Sequence, residues 1–305
     1  MPTVIREFAR AKAGEVAALA AGVFGSGELL TAVRNGSDDL EPIAWHPDAA
    51  DLSLTRGADS GAQAGEIGEV ALAMMGQRCI TAVQNADGYL LLIPWAIETD
   101  GTISRLEVAD HQARKATYLS IAALSEDRAV TAVRNGAGNL LIIPWSLDAA
   151  TGQISRLDHG LAQGGAVASG SIWLAGTTVP LEGPLTACAT LDDPNFVTAK
   201  VNGAGGVELA GWALETDLRP VVWQQKDVYP LADYLAMAPL DDPGEEPKFV
   251  LAYRTITPQL SGTSIVLKKD VVVSIWSASA TNRTLTLVAQ AAAGDMTSIG
   301  VAGGA

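Results

Sequence analysis

Thr31-Ala-Val-Arg-Asn-Gly returns fifty residues later as Thr81-Ala-Val-Gln-Asn-Ala, and after fifty more as Thr131-Ala-Val-Arg-Asn-Gly. Each copy runs into an apolar stretch that closes on tryptophan: Pro42-Ile-Ala-Trp45, Leu92-Ile-Pro-Trp95 and Ile142-Ile-Pro-Trp145. Threonine and tryptophan stand 14 residues apart in all three. A fourth copy, Thr198-Ala-Lys-Val-Asn-Gly to Trp212, keeps the 14 but arrives after 67 residues. A fifth is looser, with about eleven extra residues between Leu251-Ala-Tyr-Arg254 and Val271-Val-Val-Ser-Ile-Trp276. A fixed period of this size means one supersecondary unit repeated several times, each copy burying its apolar face against the next.

Within a repeat the pattern predicts four strands, over residues 118–124, 129–135, 139–147 and 153–158. Alternating apolar and β-branched residues support them, and Asn-Gly between two such runs is a hairpin signal. No stretch of 12 residues carries a capped helical period. The Ala-rich segment 9–21 aligns with the approach to the first strand of later repeats and is read as β. The fold class is therefore all-β, in a single domain over 1–305 with repeats at about 16–65, 66–115, 116–165, 166–228 and 229–295.

Four short antiparallel strands every fifty residues resemble the blade of a β-propeller, of a lectin-like kind, without the GH…WD pairs of WD40 blades or the Gly-Gly signature of kelch blades. The resemblance implies five four-stranded antiparallel blades, or six if the long 160–197 region holds another. Five copies argue against a β-trefoil, which has three. Propellers close by exchanging terminal strands. Thr3 to Ala11 matches an outermost strand, and Met296 to Gly303 an innermost one.

Composition narrows the partners. The chain of 305 residues carries a net charge of −14, which repels phosphate backbones and acidic membranes. Hydrophobic residues at 48% suffice for a packed core. Cys79 and Cys188, alone and far apart, read as buried thiols, with neither a disulfide framework nor a metal site. No cofactor is expected. Arg6, Glu7, Arg10, Lys12 and Glu15 interrupt any secretory apolar core, and the longest apolar run, Tyr89 to Ile97, is short of a membrane span. The expectation is a soluble, cytoplasmic protein whose partner is a small molecule or glycan, or else a protein.

Each repeated polar residue has a structural reading. The Trp row is expected to pack between blades, and Arg34, Gln84, Arg134 and Arg254 to bridge strands. Asn35, Asn85, Asn135 and Asn202 are read as turn residues at positive φ. The candidate ligand-binding residues come from the parts that differ more between repeats. They lie in the connections from outermost to next innermost strand: Asp59 and Gln63; Asp110, His111 and Gln112; Asp158, His159 and Gln163. Tyr118, Trp173 and Tyr234 add aromatic rings to presumed innermost strands. The carboxylates of Asp192-Asp193 and of 241–246 read as acidic loops.

No HExxH, GxSxG, GxGxxG or P-loop spacing is present, and no catalytic residue is assigned. The first functional reading is a ligand-binding propeller, lectin-like or small-molecule-binding, with its sites on one face. The alternative is a hydrolase, lyase or isomerase with one site at the central channel, and a protein-interaction scaffold stands third.

Overall fold

In the computed structural model, residues 16–24, 28–48, 50, 53–59, 64–98, 102–106, 111–148, 150–157, 162–174, 177–240, 246–261 and 264–294 are described. Every regular element among them is a β-strand. Sheet 1 is the meander β1 (Val16–Val23), β2 (Leu29–Asn35), β3 (Asp39–Asp48) and β4 (Ser53–Asp59). Sheet 2 is β5 (Ala64–Met75), β6 (Arg78–Asn85), β7 (Tyr89–Ile97) and β8 (Ile103–Arg105). Sheet 3 is β9 (His111–Ala123), β10 (Arg128–Asn135), β11 (Asn139–Leu147) and β12 (Ile154–Arg156).

Between sheets 3 and 4 lie β13 (Ala162–Ala166) and a hairpin of β14 (Ser171–Leu174) with β15 (Thr177–Pro180). Among its described residues, the region 160–197, which would hold a sixth blade in the alternative count, contributes β13, a two-stranded hairpin and the start of sheet 4. Sheet 4 comprises β16 (Thr186–Asp192), β17 (Asn195–Val201), β18 (Gly206–Leu214) and the first part of β19 (Pro220–Leu240). The second part of β19 opens sheet 5, followed by β20 (Lys248–Ser261), β21 (Ser264–Ser279) and β22 (Thr284–Gly294). All pairing is antiparallel, as the hairpin signals require.

The tryptophan spacing has a simple cause. On an antiparallel pair joined by a short turn, residues 14 apart come to lie on one face, and the indole N–H reaches back to the threonine hydroxyl. Trp45 Nε1 donates to Thr31 Oγ1 at 2.8 Å. Trp95, Trp145 and Trp212 repeat the bond to Thr81, Thr131 and Thr198 at 2.9 Å. In the fifth unit leucine replaces the threonine, and Trp276 Nε1 donates instead to Ser274 Oγ at 2.9 Å. All five indoles are buried, as a packing role demands.

These faces interleave. Trp95, Cys79, Val83 and Ile93 of sheet 2 form one core with Leu30, Ala32, Leu40 and Ala44 of sheet 1. Trp145, Ala129 and Ile143 of sheet 3 pack likewise on Ile80, Ala82 and Leu92 of sheet 2. The large core of sheets 3, 4 and 5 continues the pattern. Arg34, Gln84 and Arg134 act as struts across the same junctions. They donate to the carbonyls of Gly68 at 3.0 Å, Ala116 at 2.6 Å and Val167 at 3.4 Å, each in the segment that follows.

The asparagines hold turns, but not at positive φ. Asn35, Asn85, Asn135 and Asn202 end their strands, and each side-chain Oδ1 accepts N–H groups from across the turn. The left-handed residue comes three later, at Asp38, Gly88, Gly138 and Gly205, with φ of 65°, 81°, 83° and 86°. This is the type I turn with a bulge residue in the left-handed region.

The first strands β1, β5, β9, β16 and β19 all line one cavity of about 140 Å³, through Ala21–Val23, Leu72–Met74, Ile121–Ala123, Cys188–Thr190 and Met237–Pro239. Five antiparallel sheets gathered by their first strands make the arrangement propeller-like. The terminal segments expected to close a ring, Thr3 to Ala11 and Met296 to Gly303, lie outside the described residues.

Candidate functional site

The first strands begin earlier than the sequence pattern indicated. β9 opens at His111, and its leading end pairs with β7 of the preceding sheet: His111 opposite Leu92, Gln112 opposite Leu91, Lys115 opposite Tyr89. β13 does the same beside β11, with Ala162 opposite Ile142 and Gln163 opposite Leu141. Asp59 stands opposite Ile43 on β3. Gln112 and Gln163 therefore occupy one station, because Leu91 and Leu141 are equivalent positions fifty residues apart. These residues lie on the outer edge beside a third strand. The crossing to the innermost position comes later, near residues 115–118.

Of Asp59, His111, Gln112 and Trp173 the backbone alone is described, and Gln63, Asp110, Asp158 and His159 lie outside the described residues. Gln163 is fully placed and exposed. It borders a groove of about 330 Å³ between β13 and sheet 4. Gly164, Gly165 and Ala166 form one wall, and Lys200, Asn202, Glu208, Trp212, Val222 and Gln225 the other. The small residues of β13 keep that wall low. Lys200 and Glu208 are directly opposed across β17 and β18 and form a largely buried ion pair at 2.9 Å. The Lys200 ammonium also donates to the Gly164 carbonyl, so one cation ties both walls. Trp212 gives an indole edge, its N–H already satisfied by Thr198. Gln163 and Gln225 are exposed amides with donors and an acceptor each.

Lys200, Glu208 and Gln225 were not among the sequence candidates. Two opposite charges flanking the Asn202 hairpin at mirrored distances were the available signal for the first two.

Tyr118 and Tyr234 occupy matching bulges in β9 and β19. Tyr118 has φ of 54°, a conformation that costs a bulky residue strain. The Glu69 carboxylate of sheet 2 accepts the Leu119 N–H at 2.9 Å, and burial pushes its pKa up against these backbone bonds. The Tyr118 phenol is likewise raised, by burial first and by Glu69 second. The Tyr234 ring lies beneath the Arg254 guanidinium, 4.7 Å from Cζ to centroid. Arg254 makes a bidentate pair with buried Asp233 at 2.7 Å and reaches Glu182 at 2.8 Å. Lys269 meets Glu182 at 3.0 Å and Asp233 at 3.4 Å. Tyr118 and Tyr234 thus belong to different sheets and do not share the groove.

Among the described residues no three His, Cys, Asp or Glu side chains come together as a metal site. Cys79 and Cys188 are buried free thiols; burial raises both, Cys188 to about 12. No helix among the described residues is long and apolar enough to cross a membrane.

No family model matches the chain, and no curated protein does. Solved structures do. The SapL1 lectin in complex with alpha methyl fucoside aligns over 90% of this chain and 96% of its own at 14% identity, with a TM-score of 0.52. The Aleuria aurantia lectin, as an N224Q mutant with Fucalpha1-6GlcNAc, covers 93% and 99% at 10% identity and a TM-score of 0.53. The Pseudomonas aeruginosa periplasmic gluconolactonase PpgL covers 90% and 71% at 13% identity and a TM-score of 0.54. At these identities the likeness is one of fold, held in common by sugar-binding proteins and by an enzyme.

Proposed function

We propose that the protein is a five-bladed β-propeller that binds a small, hydroxyl-rich ligand, a glycan or a molecule of similar polarity, in the groove between β13 and sheet 4. The observation that carries the reading is the lining of that groove: two exposed amides, an ion pair and an indole edge around about 330 Å³. Exposed amide donors and acceptors beside a buried ion pair suit the hydroxyls of such a ligand. The shared station of Gln112 and Gln163 supports related grooves at the preceding junctions. We extend the proposal to Asp59, Gln63, Asp110, His111, Gln112, Asp158 and His159, which in the sequence fall at or beside the corresponding connections.

Glycan-array screening followed by calorimetry tests this. Gln163→Ala and Gln225→Ala, both at exposed positions, are expected to weaken binding about tenfold each with no change in melting temperature. Unchanged affinity in both variants would place the ligand elsewhere.

One observation favours a second reading, an enzyme with a single site toward the central axis. Glu69, a carboxyl raised by burial, lies beside the strained Tyr118, and raised carboxyls serve as general acids. In that case Glu69→Gln would abolish turnover of a small substrate while leaving groove binding intact.

A further inference from the structure

One cross-strand row can be followed from sheet to sheet. In each repeat the residue four before the tryptophan stands directly opposite a residue of the preceding strand. In sheet 2 these are Leu91 and Val83, and in sheet 3 Leu141 and Val133. The row continues with Gln112 beside Leu91 and Gln163 beside Leu141. Sheet 5 has Tyr253, Val272 and Ala292 at the three stations. Sheet 1 is intermediate, with Val33 opposite Glu41, whose carboxylate meets Arg56 at 2.6 Å. Sheet 4 has Lys200, Glu208 and Asp227. Places that hold uncharged residues in three sheets thus hold three charges in sheet 4, at the wall of the groove of about 330 Å³.

Stability of the fold does not call for these charges. A buried ion pair adds little over a well-packed apolar pair, and valine with leucine fills the same place twice. Like charges directly opposite, as Glu208 and Asp227 are, destabilise a sheet. The Lys200 side chain is 4% exposed and is already engaged by Glu208 at 2.9 Å and by the Gly164 carbonyl. Glu208 keeps 11% of its side chain accessible, and Asp227 is exposed on the face it shares with Gln225, two residues before it. Lys226 lies on the other face, over the Trp276 ring at 5.2 Å. Two carboxylates therefore stand against one ammonium along this wall.

We infer that the ligand of this groove is a hydroxylated amine, its ammonium held between Glu208 and Asp227 and its hydroxyls on Gln163 and Gln225, and that the charged row confines it to sheet 4. The inference rests on the groove reading above and narrows it. A cation at this point relieves the repulsion between the two carboxylates, and the chain's charge of −14 draws cations toward it. The amides supply donors and acceptors for the hydroxyls.

Calorimetry on the full chain tests this with glucosamine, galactosamine and mannosamine, each beside its N-acetyl form and its neutral parent hexose, at a pH that keeps the amines protonated. At least one free amine is expected to bind about tenfold tighter than both neutral counterparts, at one site per chain, and to weaken as salt rises. Asp227→Asn should cut that preference about tenfold and, as an exposed change, leave the melting temperature in place. Lys200→Val/Glu208→Leu/Asp227→Gln writes the row of sheet 3 into sheet 4. It is expected to melt at or above the wild type and to lose the preference for amines. Neutral sugars that bind as tightly as the amines, or a preference that survives both variants, would overturn the inference. A triple variant that melts lower and keeps the preference would make the row a structural feature and overturn it too. Binding without a preference for amines that Gln163→Ala still weakens would leave the groove reading standing, whereas no binding by any of these sugars would count against both.

Discussion

The five tryptophans show how a single residue fixes the spacing of a whole repeat. Each buried indole N–H needs an acceptor, and the threonine hydroxyl 14 residues earlier supplies it in four units. The fifth unit demonstrates that the acceptor is the requirement, since Ser274 takes over where leucine stands at 251. Thr81→Val, nearly isosteric, should therefore cost about 1–3 kcal/mol by leaving Trp95 Nε1 unpaired. Ser274→Ala should cost a similar amount, while Thr81→Ser should cost less than Thr81→Val. Denaturant melts of the three variants check the series, and an unaffected Thr81→Val would mean that shape alone sets the spacing. The same scale explains the cysteines. Cys79 sits opposite Trp95, where other units carry Leu29, Ala129, Phe196 and Phe249, so it is one of several ways to fill that space. The two phenylalanines stack on their tryptophans, at 6.2 and 6.5 Å between ring centroids.

At the level of the element, the turn after each second strand depends on two residues with separate tasks. The asparagine accepts N–H groups, and the residue three positions later adopts the left-handed conformation. Adding a methyl at Gly88 would meet nothing within 4 Å, so the cost of Gly88→Ala is purely conformational. We expect a loss of about 1–2 kcal/mol, and a smaller one for Gly88→Asn, because asparagine tolerates this region. Asp38 shows that the first turn already bears a non-glycine residue there, offset in part by its pairing with Arg34 at 3.0 Å. Equal stability of the alanine and asparagine variants in thermal melts would count against this account. The element scale also explains the strand that the sequence pattern cut short. The leading end of β9 is polar, His-Gln-Ala-Arg-Lys, and reads as loop until its pairing with β7 is known.

For the molecule as a whole, the junctions between sheets matter most, and one of them titrates. Glu69 reaches from sheet 2 to the backbone of sheet 3 at Leu119. Burial outweighs those hydrogen bonds and raises its pKa above the ordinary carboxylate range. A carboxyl that holds its proton more tightly when folded gives stability at low pH. That contribution falls as pH rises from the unfolded pKa through the folded one. Relative to Glu69→Gln, which does not titrate, the wild type should thus lose stability as pH rises above about 4, the unfolded carboxylate value. Melting temperatures of the two proteins across that range test the sign; a gap that widens in favour of the wild type would refute it.

The chain by itself determined the class of fold, the number of visible repeats and the register within each one. These are local matters: period-two alternation, turn residues and a threonine–tryptophan bond spanning 14 residues need only their own unit. It did not determine the groove. Gln163 was legible as a polar residue in a connection between units, but its neighbours Lys200, Glu208 and Gln225 come from strands 37 to 62 residues away. Nor did it show that Tyr118 and Tyr234 lie in separate bulges, or that Glu69 clasps the next sheet. Those relations depend on how one sheet is set against another. That placement follows from which apolar faces interleave and where the struts reach, and no single repeat carries that information.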